Sequence, residues 1–106
     1  MAAVGRIEAR QKMATPWRRR RMCILVAEAP APAALREISA RRAFVETNAR
    51  PSPGSTVELR HPEAGTIPAV VRSLSADGVE LGFELGEASV AFALAAIASD
   101  MSRPAA

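Results

Sequence analysis

Thr66 to Phe83, TIPAVVRSLSADGVELGF, is the stretch that decides the fold class. Its first part sets Ile67, Ala69 and Val71 at alternate positions. Its last part alternates Val79, Leu81 and Phe83 with Glu80, Gly82 and, just beyond, Glu84. A period of two is that of a strand with one buried face. Asp77-Gly78 between the two runs predicts a tight hairpin with both turn residues at positive φ. Pro68, which has no amide proton to donate, predicts an edge or an irregular start for the strand over Thr66–Leu74.

The same grammar extends upstream. Thr56–Arg60 alternates apolar Val57 and Leu59 with polar neighbours, and His61-Pro62-Glu63-Ala64-Gly65 turns it round, which predicts an exposed His61. Asn48–Gly54 (NARPSPG) is a turn imposed by Pro51, Pro53 and Gly54. Leu35–Ser39 and Ala43–Thr47 read as two further strands around Ala40-Arg41-Arg42. Met22–Val26, short and partly β-branched, suits a first strand. Ala29–Ala34 (APAPAA) predicts an interruption between strands, because its prolines lack donors and restrict their predecessors.

Downstream the period changes. Val90, Leu94, Ile97 and Met101 recur at spacings of four, three and four, with Ala93 and Ala98 beside them. This predicts a helix from about Ser89 to Met101 whose apolar stripe packs on the core, with Pro104 ending it. Six short strands and one helix predict a mainly β chain, a six-stranded antiparallel barrel covered by the C-terminal helix. A small domain of this kind leaves few edges unpaired, and a sandwich is the competing arrangement.

The chain has 106 residues, enough for one modest core. Large apolar area must come from Val, Ile and Leu, since there are only three Phe, one Trp and no Tyr. The net charge of +3 is unevenly spread. Residues 1–21 carry Arg6, Arg10, Lys12 and Arg18, Arg19, Arg20 and Arg21 against Glu8 alone, while the remainder is acidic on balance. The chain therefore divides into a flexible basic leader over 1–16, a folded unit over 17–101 and a disordered tail over 102–106. A basic leader favours an anionic partner such as a phosphate ligand, a nucleic acid or an acidic membrane; its other reading is a solvated, disordered arm. Cys23 is the only cysteine, which excludes an internal disulfide, suits a reducing compartment and predicts a small buried hydrophobe. No apolar run has the length of a signal peptide core or a membrane span, so a cytoplasmic location is expected. No Ser/His/Asp set, metal-ligand spacing or phosphate-cradling glycine loop is present, so neither enzyme activity, a metal nor a cofactor is expected.

Residues 36–46 (REISARRAFVE), PSPGSTVELR, the strand through Leu74 and DGVELGFE follow one another in an order and spacing similar to those of PilZ domains, the bacterial receptors of cyclic di-GMP. The resemblance covers about residues 17–100. PilZ domains place an RxxxR motif before the first strand and a [DN]xSxxG motif at a later strand turn. Arg18–Arg21 stand at the first place, with no two of them four apart. Glu37, Ser39 and Arg42 stand at the second, where Glu37 replaces Asp or Asn and Arg42 replaces Gly. The resemblance implies a ligand-binding set of Arg18, Arg19, Arg20 and Arg21 as a clamp, Glu37 as the acceptor for a guanine edge and Ser39 as support for the turn. Arginine suits such a ligand because its planar fork donates two parallel hydrogen bonds to phosphate or to a guanine Hoogsteen edge. Arg42 admits two readings: a side chain that obstructs a backbone position meant for glycine, or an additional charge directed at the phosphates. Trp17 reads as a packer on the core rim or a stacking partner for guanine. Two other functions stay open: an adaptor that keeps the fold and binds a protein without nucleotide, and a nonspecific nucleic-acid binder acting through the arginine arm. The strands lack the aromatic platform that single-strand binders use.

Overall fold

The computed structural model describes residues 21–101. Arg18, Arg19, Arg20 and Trp17, the leader and the tail lie outside the described residues. The chain forms β1 (Arg21–Val26), β2 (Pro30–Ile38), β3 (Arg42–Glu46), β4 (Thr56–His61), β5 (Gly65–Leu74) and β6 (Gly78–Gly82), then α1 (Glu87–Met101). The strands close into an antiparallel barrel in the order β1-β2-β3-β6-β5-β4, sealed by β1 against β4 with Leu25 opposite Leu59. The six-stranded barrel with one C-terminal helix is thus the expected architecture, and closure leaves no strand at an edge.

Alternation builds the core. Cys23 and Leu25, Val57 and Leu59, Ile67 and Val71, and Val79 and Leu81 all point inward and are buried. Ala33, Ala43 and Ala69 fill inward positions where a small interior has no room for larger groups.

Three local expectations are corrected. First, APAPAA does not interrupt the sheet, because β2 begins at Pro30 and pairs with β1 through Pro30↔Val26 and Pro32↔Ile24. The Pro32 carbonyl accepts a hydrogen bond from Thr47 Oγ at 2.8 Å, on the β3 side. A strand residue directs its N–H and C=O to the same side, so the missing proline donors fall away from the β1 ladder and cost it nothing. Second, the β5–β6 turn lies one residue upstream of Asp77-Gly78. The Ser75 amide donates to the Gly78 carbonyl at 2.9 Å and the chain reverses across Ala76 and Asp77. Positive φ among the glycines occurs at Gly54 and Gly65, not at Gly78. Gly78 is needed for closeness instead, since a Cβ there would overlap the Val45 carbonyl oxygen of β3.

The third correction concerns α1. The helix covers one barrel mouth, but with Ser89, Phe92, Ala93, Ala96 and Ser99. Val90, Leu94, Ile97 and Met101 are exposed, Leu94 at 62% and Met101 at 77%. Phe92 is the plug, its ring edge-on to Phe83 at 6.0 Å and to His61 at 6.1 Å. Alanines and serines around Phe92 let the helix backbone approach the mouth more closely than a stripe of long side chains allows. α1 begins two residues earlier than expected, with the Ser89 hydroxyl accepting from the Gly86 amide at 3.0 Å, a capping contact for the first turn.

Candidate ligand-binding groove

The stretch EISARR is shaped by a bulge and a turn. β2 and β3 pair as Leu35↔Val45 and then Glu37↔Phe44, so Arg36 is an extra residue in the ladder. The bulge leaves both Arg36 and Glu37 exposed, where strict alternation would bury one of them. Arg36 lies over the Phe44 ring at 4.8 Å and donates to Glu46 Oε2 at 2.7 Å.

At the turn, the Ser39 amide donates to the Arg42 carbonyl at 2.8 Å. Ser39 Oγ accepts from the Arg41 and Arg42 amides, each at 3.2 Å. Ser39 is therefore the support of the turn, holding two amides that otherwise point into open space. Arg42 is the first residue of β3, opposite Gly82. Its guanidinium donates to Glu80 Oε2 at 3.0 Å, and Ser73 Oγ donates to the other Glu80 oxygen at 3.2 Å. The Arg42 side chain is exposed and Glu80 half-buried, so the pair is worth little to stability.

These residues line an outward groove of about 370 Å³, with Glu37, Ser39, Arg42, Arg36, Phe44 and Glu80 around it. That volume falls at the lower end of ligand sites, which run from roughly 300 to 1,000 Å³. Glu37, Ser39 and Arg42 thus come together on one face.

Arg21 lies outside this groove. As first residue of β1, opposite Leu35, it runs under the end of α1. Its guanidinium donates to Ser99 Oγ at 3.1 Å and stands 3.9 Å from Glu63, while Ser99 in turn donates to Glu63. It borders a second groove of about 180 Å³ between β2 and α1, and this groove shares Arg36, Glu37 and Ile38 with the first. The two recesses meet at the bulge.

Sequence reading missed Arg36, Phe44 and Glu80 of the groove, and outside it Arg72. Arg72 is the extra residue of a second bulge, in β5 between Val71 and Ser73. Its side chain crosses Gly82, where a Cβ on the glycine would collide with the guanidinium. Gly82 in an otherwise alternating strand was the available signal, since a strand glycine marks a close approach. The bulges themselves left no such mark, because an inserted residue is visible only against its partner strand.

His61 is buried, 4% exposed, against the expectation of an exposed turn residue. It ends β4 facing inward, and its Nδ1 accepts from the Glu63 and Ala64 amides, both at 3.0 Å. Burial, reinforced by the nearby Arg21 charge, lowers its pKa despite Glu63 and Asp100. Cys23 is buried as expected, and desolvation pushes its thiol up to about 11, so it is no nucleophile. Among the described residues no group of three His, Cys, Asp or Glu side chains stands ready to hold a metal ion. No helix of the described residues is long and apolar enough to cross a membrane.

No family model, curated protein or solved structure matches this chain.

Proposed function

We propose that this barrel is a PilZ-like receptor domain, without enzymatic activity, that takes cyclic di-GMP in the groove outside the β2–β3 turn. The observation that carries the reading is the convergence of Arg36, Glu37, Ser39 and Arg42 on a single outward recess. Each has a matching task. A carboxylate accepts the two N–H donors of a guanine Watson–Crick edge, which suits Glu37. Arg36 and Arg42 offer planar forks for phosphate or for guanine O6 and N7. Phe44 supplies an apolar floor already stacked under a guanidinium. Ligand phosphate draws Arg42 off Glu80, and the basic residues Arg18, Arg19 and Arg20 precede β1 in the sequence and add charge to the same anion.

A second reading rests on the Arg42–Glu80–Ser73 chain of contacts. With Ser39 consumed by the turn and Arg42 already paired, the same face suits an adaptor that docks a protein without nucleotide.

Calorimetry with cyclic di-GMP at low salt distinguishes these readings. The receptor reading expects heat at micromolar protein. It also expects affinity to fall at least tenfold in Glu37→Ala and in Arg36→Ala, with no change in Arg60→Ala on β4. No heat from the unsubstituted protein ends the receptor reading, and capture of one protein partner equally with and without nucleotide favours the adaptor. Salt-dependent shifting of DNA or RNA, lost when Arg18–Arg21 become Ala, points to nucleic acid instead.

A further inference from the structure

The second recess, between β2 and α1, offers a chemistry different from that of the groove at the turn. Its walls are apolar, Leu35 and Ile38 from β2 and Ala96 and Ile97 from α1. It also holds one charge of each sign, Arg21 from β1 and Asp100 from the last turn of α1. Its volume of about 180 Å³ is below the roughly 300–1,000 Å³ of sites that enclose a whole ligand, so it suits one part of a larger molecule. Opposite charges between apolar walls favour a neutral planar group, with donors and acceptors of its own, over a phosphate.

Both charged groups have hydrogen-bonding capacity to spare. Arg21 Nη2 donates to Ser99 Oγ, but Arg21 Nε has no hydrogen-bond partner among the described residues. Asp100 is exposed and has no hydrogen-bond or ion-pair partner among the described residues. It also opposes the dipole of its own helix, whose last turn carries no basic residue to offset it. A carboxylate that costs α1 stability without an internal partner is accounted for by an acceptor role towards a ligand.

We propose that this recess is a second base subsite, an assignment that rests on the receptor reading above. One guanine of cyclic di-GMP lies between β2 and α1, and the other occupies the groove at the β2–β3 turn. Guanine presents adjacent N–H donors on its Watson–Crick edge, which Asp100 accepts, and O6 and N7 on its Hoogsteen edge, which match the Arg21 fork. The two recesses share Arg36, Glu37 and Ile38, so the bulge stands between them. A ligand whose two bases are joined through phosphates straddles that bulge, with its phosphates beside Arg36. Adenine lacks the paired Watson–Crick donors, which makes Asp100 a specificity residue.

Calorimetry of the full chain with cyclic di-GMP and with cyclic di-AMP tests this. One ligand per chain is expected. Asp100→Ala should weaken cyclic di-GMP about tenfold, the loss of one hydrogen-bonded charged group, and narrow its preference over cyclic di-AMP by the same factor. Ile97→Glu, which sets a second carboxylate in the apolar wall, should weaken it at least as much. Asp100→Ala should hold or raise the thermal midpoint, because the conflict with the helix dipole is gone, so its lost affinity is not lost folding. Binding of cyclic di-GMP with unaltered affinity in either variant, or of two ligands per chain, overturns the second subsite and leaves the receptor reading standing. No heat from the unsubstituted protein ends both.

Discussion

His61 shows how one buried imidazole ties the barrel end to solvent pH. Two backbone amides donate to Nδ1, which requires the neutral ring with its proton on Nε2, and Nε2 is buried with no hydrogen-bond partner among the described residues. Protonation would place a hydrogen on Nδ1 and set it against both amides. The native state therefore holds the His61 pKa below its unfolded value of about 6.5, so the unfolded chain binds the extra proton first. Stability from this site is complete above about pH 6.5 and declines as pH falls below it. Thermal melts at pH 7.5 and pH 5.5 should show the lower midpoint at the acid pH. His61→Asn keeps an acceptor near the Nδ1 position but cannot titrate, and should lose this part of the pH dependence.

At the scale of the element, α1 depends on one side chain. Phe92 is 4% exposed and meets both Phe83 and His61, whereas its inward neighbours are alanine and serine. Phe92→Ala should cost about 3–5 kcal/mol in denaturant unfolding, the usual penalty for removing a buried aromatic ring. A loss under 1 kcal/mol would mean that the helix is held some other way. The helix itself was legible from its period, but its orientation was not. In EASVAFALAAIASDM nearly every position is apolar or small, so the largest residues suggested the inward face when in fact the mouth accepts one ring and small groups. β2 makes the complementary point. Two prolines argue against a strand by propensity, yet they are harmless here because their nitrogens point to the side where β3 has already ended.

For the whole molecule, closure is the organising fact. β1 meets β4 over only three residues, Ile24–Val26 against Glu58–Arg60, but Leu25 and Leu59 within that seam are fully buried. The barrel should thus open only by global unfolding. Hydrogen exchange should find the Leu25 and Leu59 amides protected as strongly as those of Val45 and Leu81, and much faster exchange at the β1–β4 seam would show that it frays independently. The groove is a product of the same closure. Glu37, Ser39 and Arg42 could be read together because a short turn keeps them local. Glu80 comes from β6, which β3 meets only once the chain has returned through β4 and β5.

Sequence by itself determined a mainly β chain of six strands and a C-terminal helix and favoured a barrel over a sandwich, because inward and outward residues alternate along most strands and turns have their own local chemistry. The inward face of α1, the burial of His61, the tolerance of Pro30 and Pro32 and the two arginine bulges were decided only by tertiary structure. Each depends on which segment lies opposite, and on the room left there.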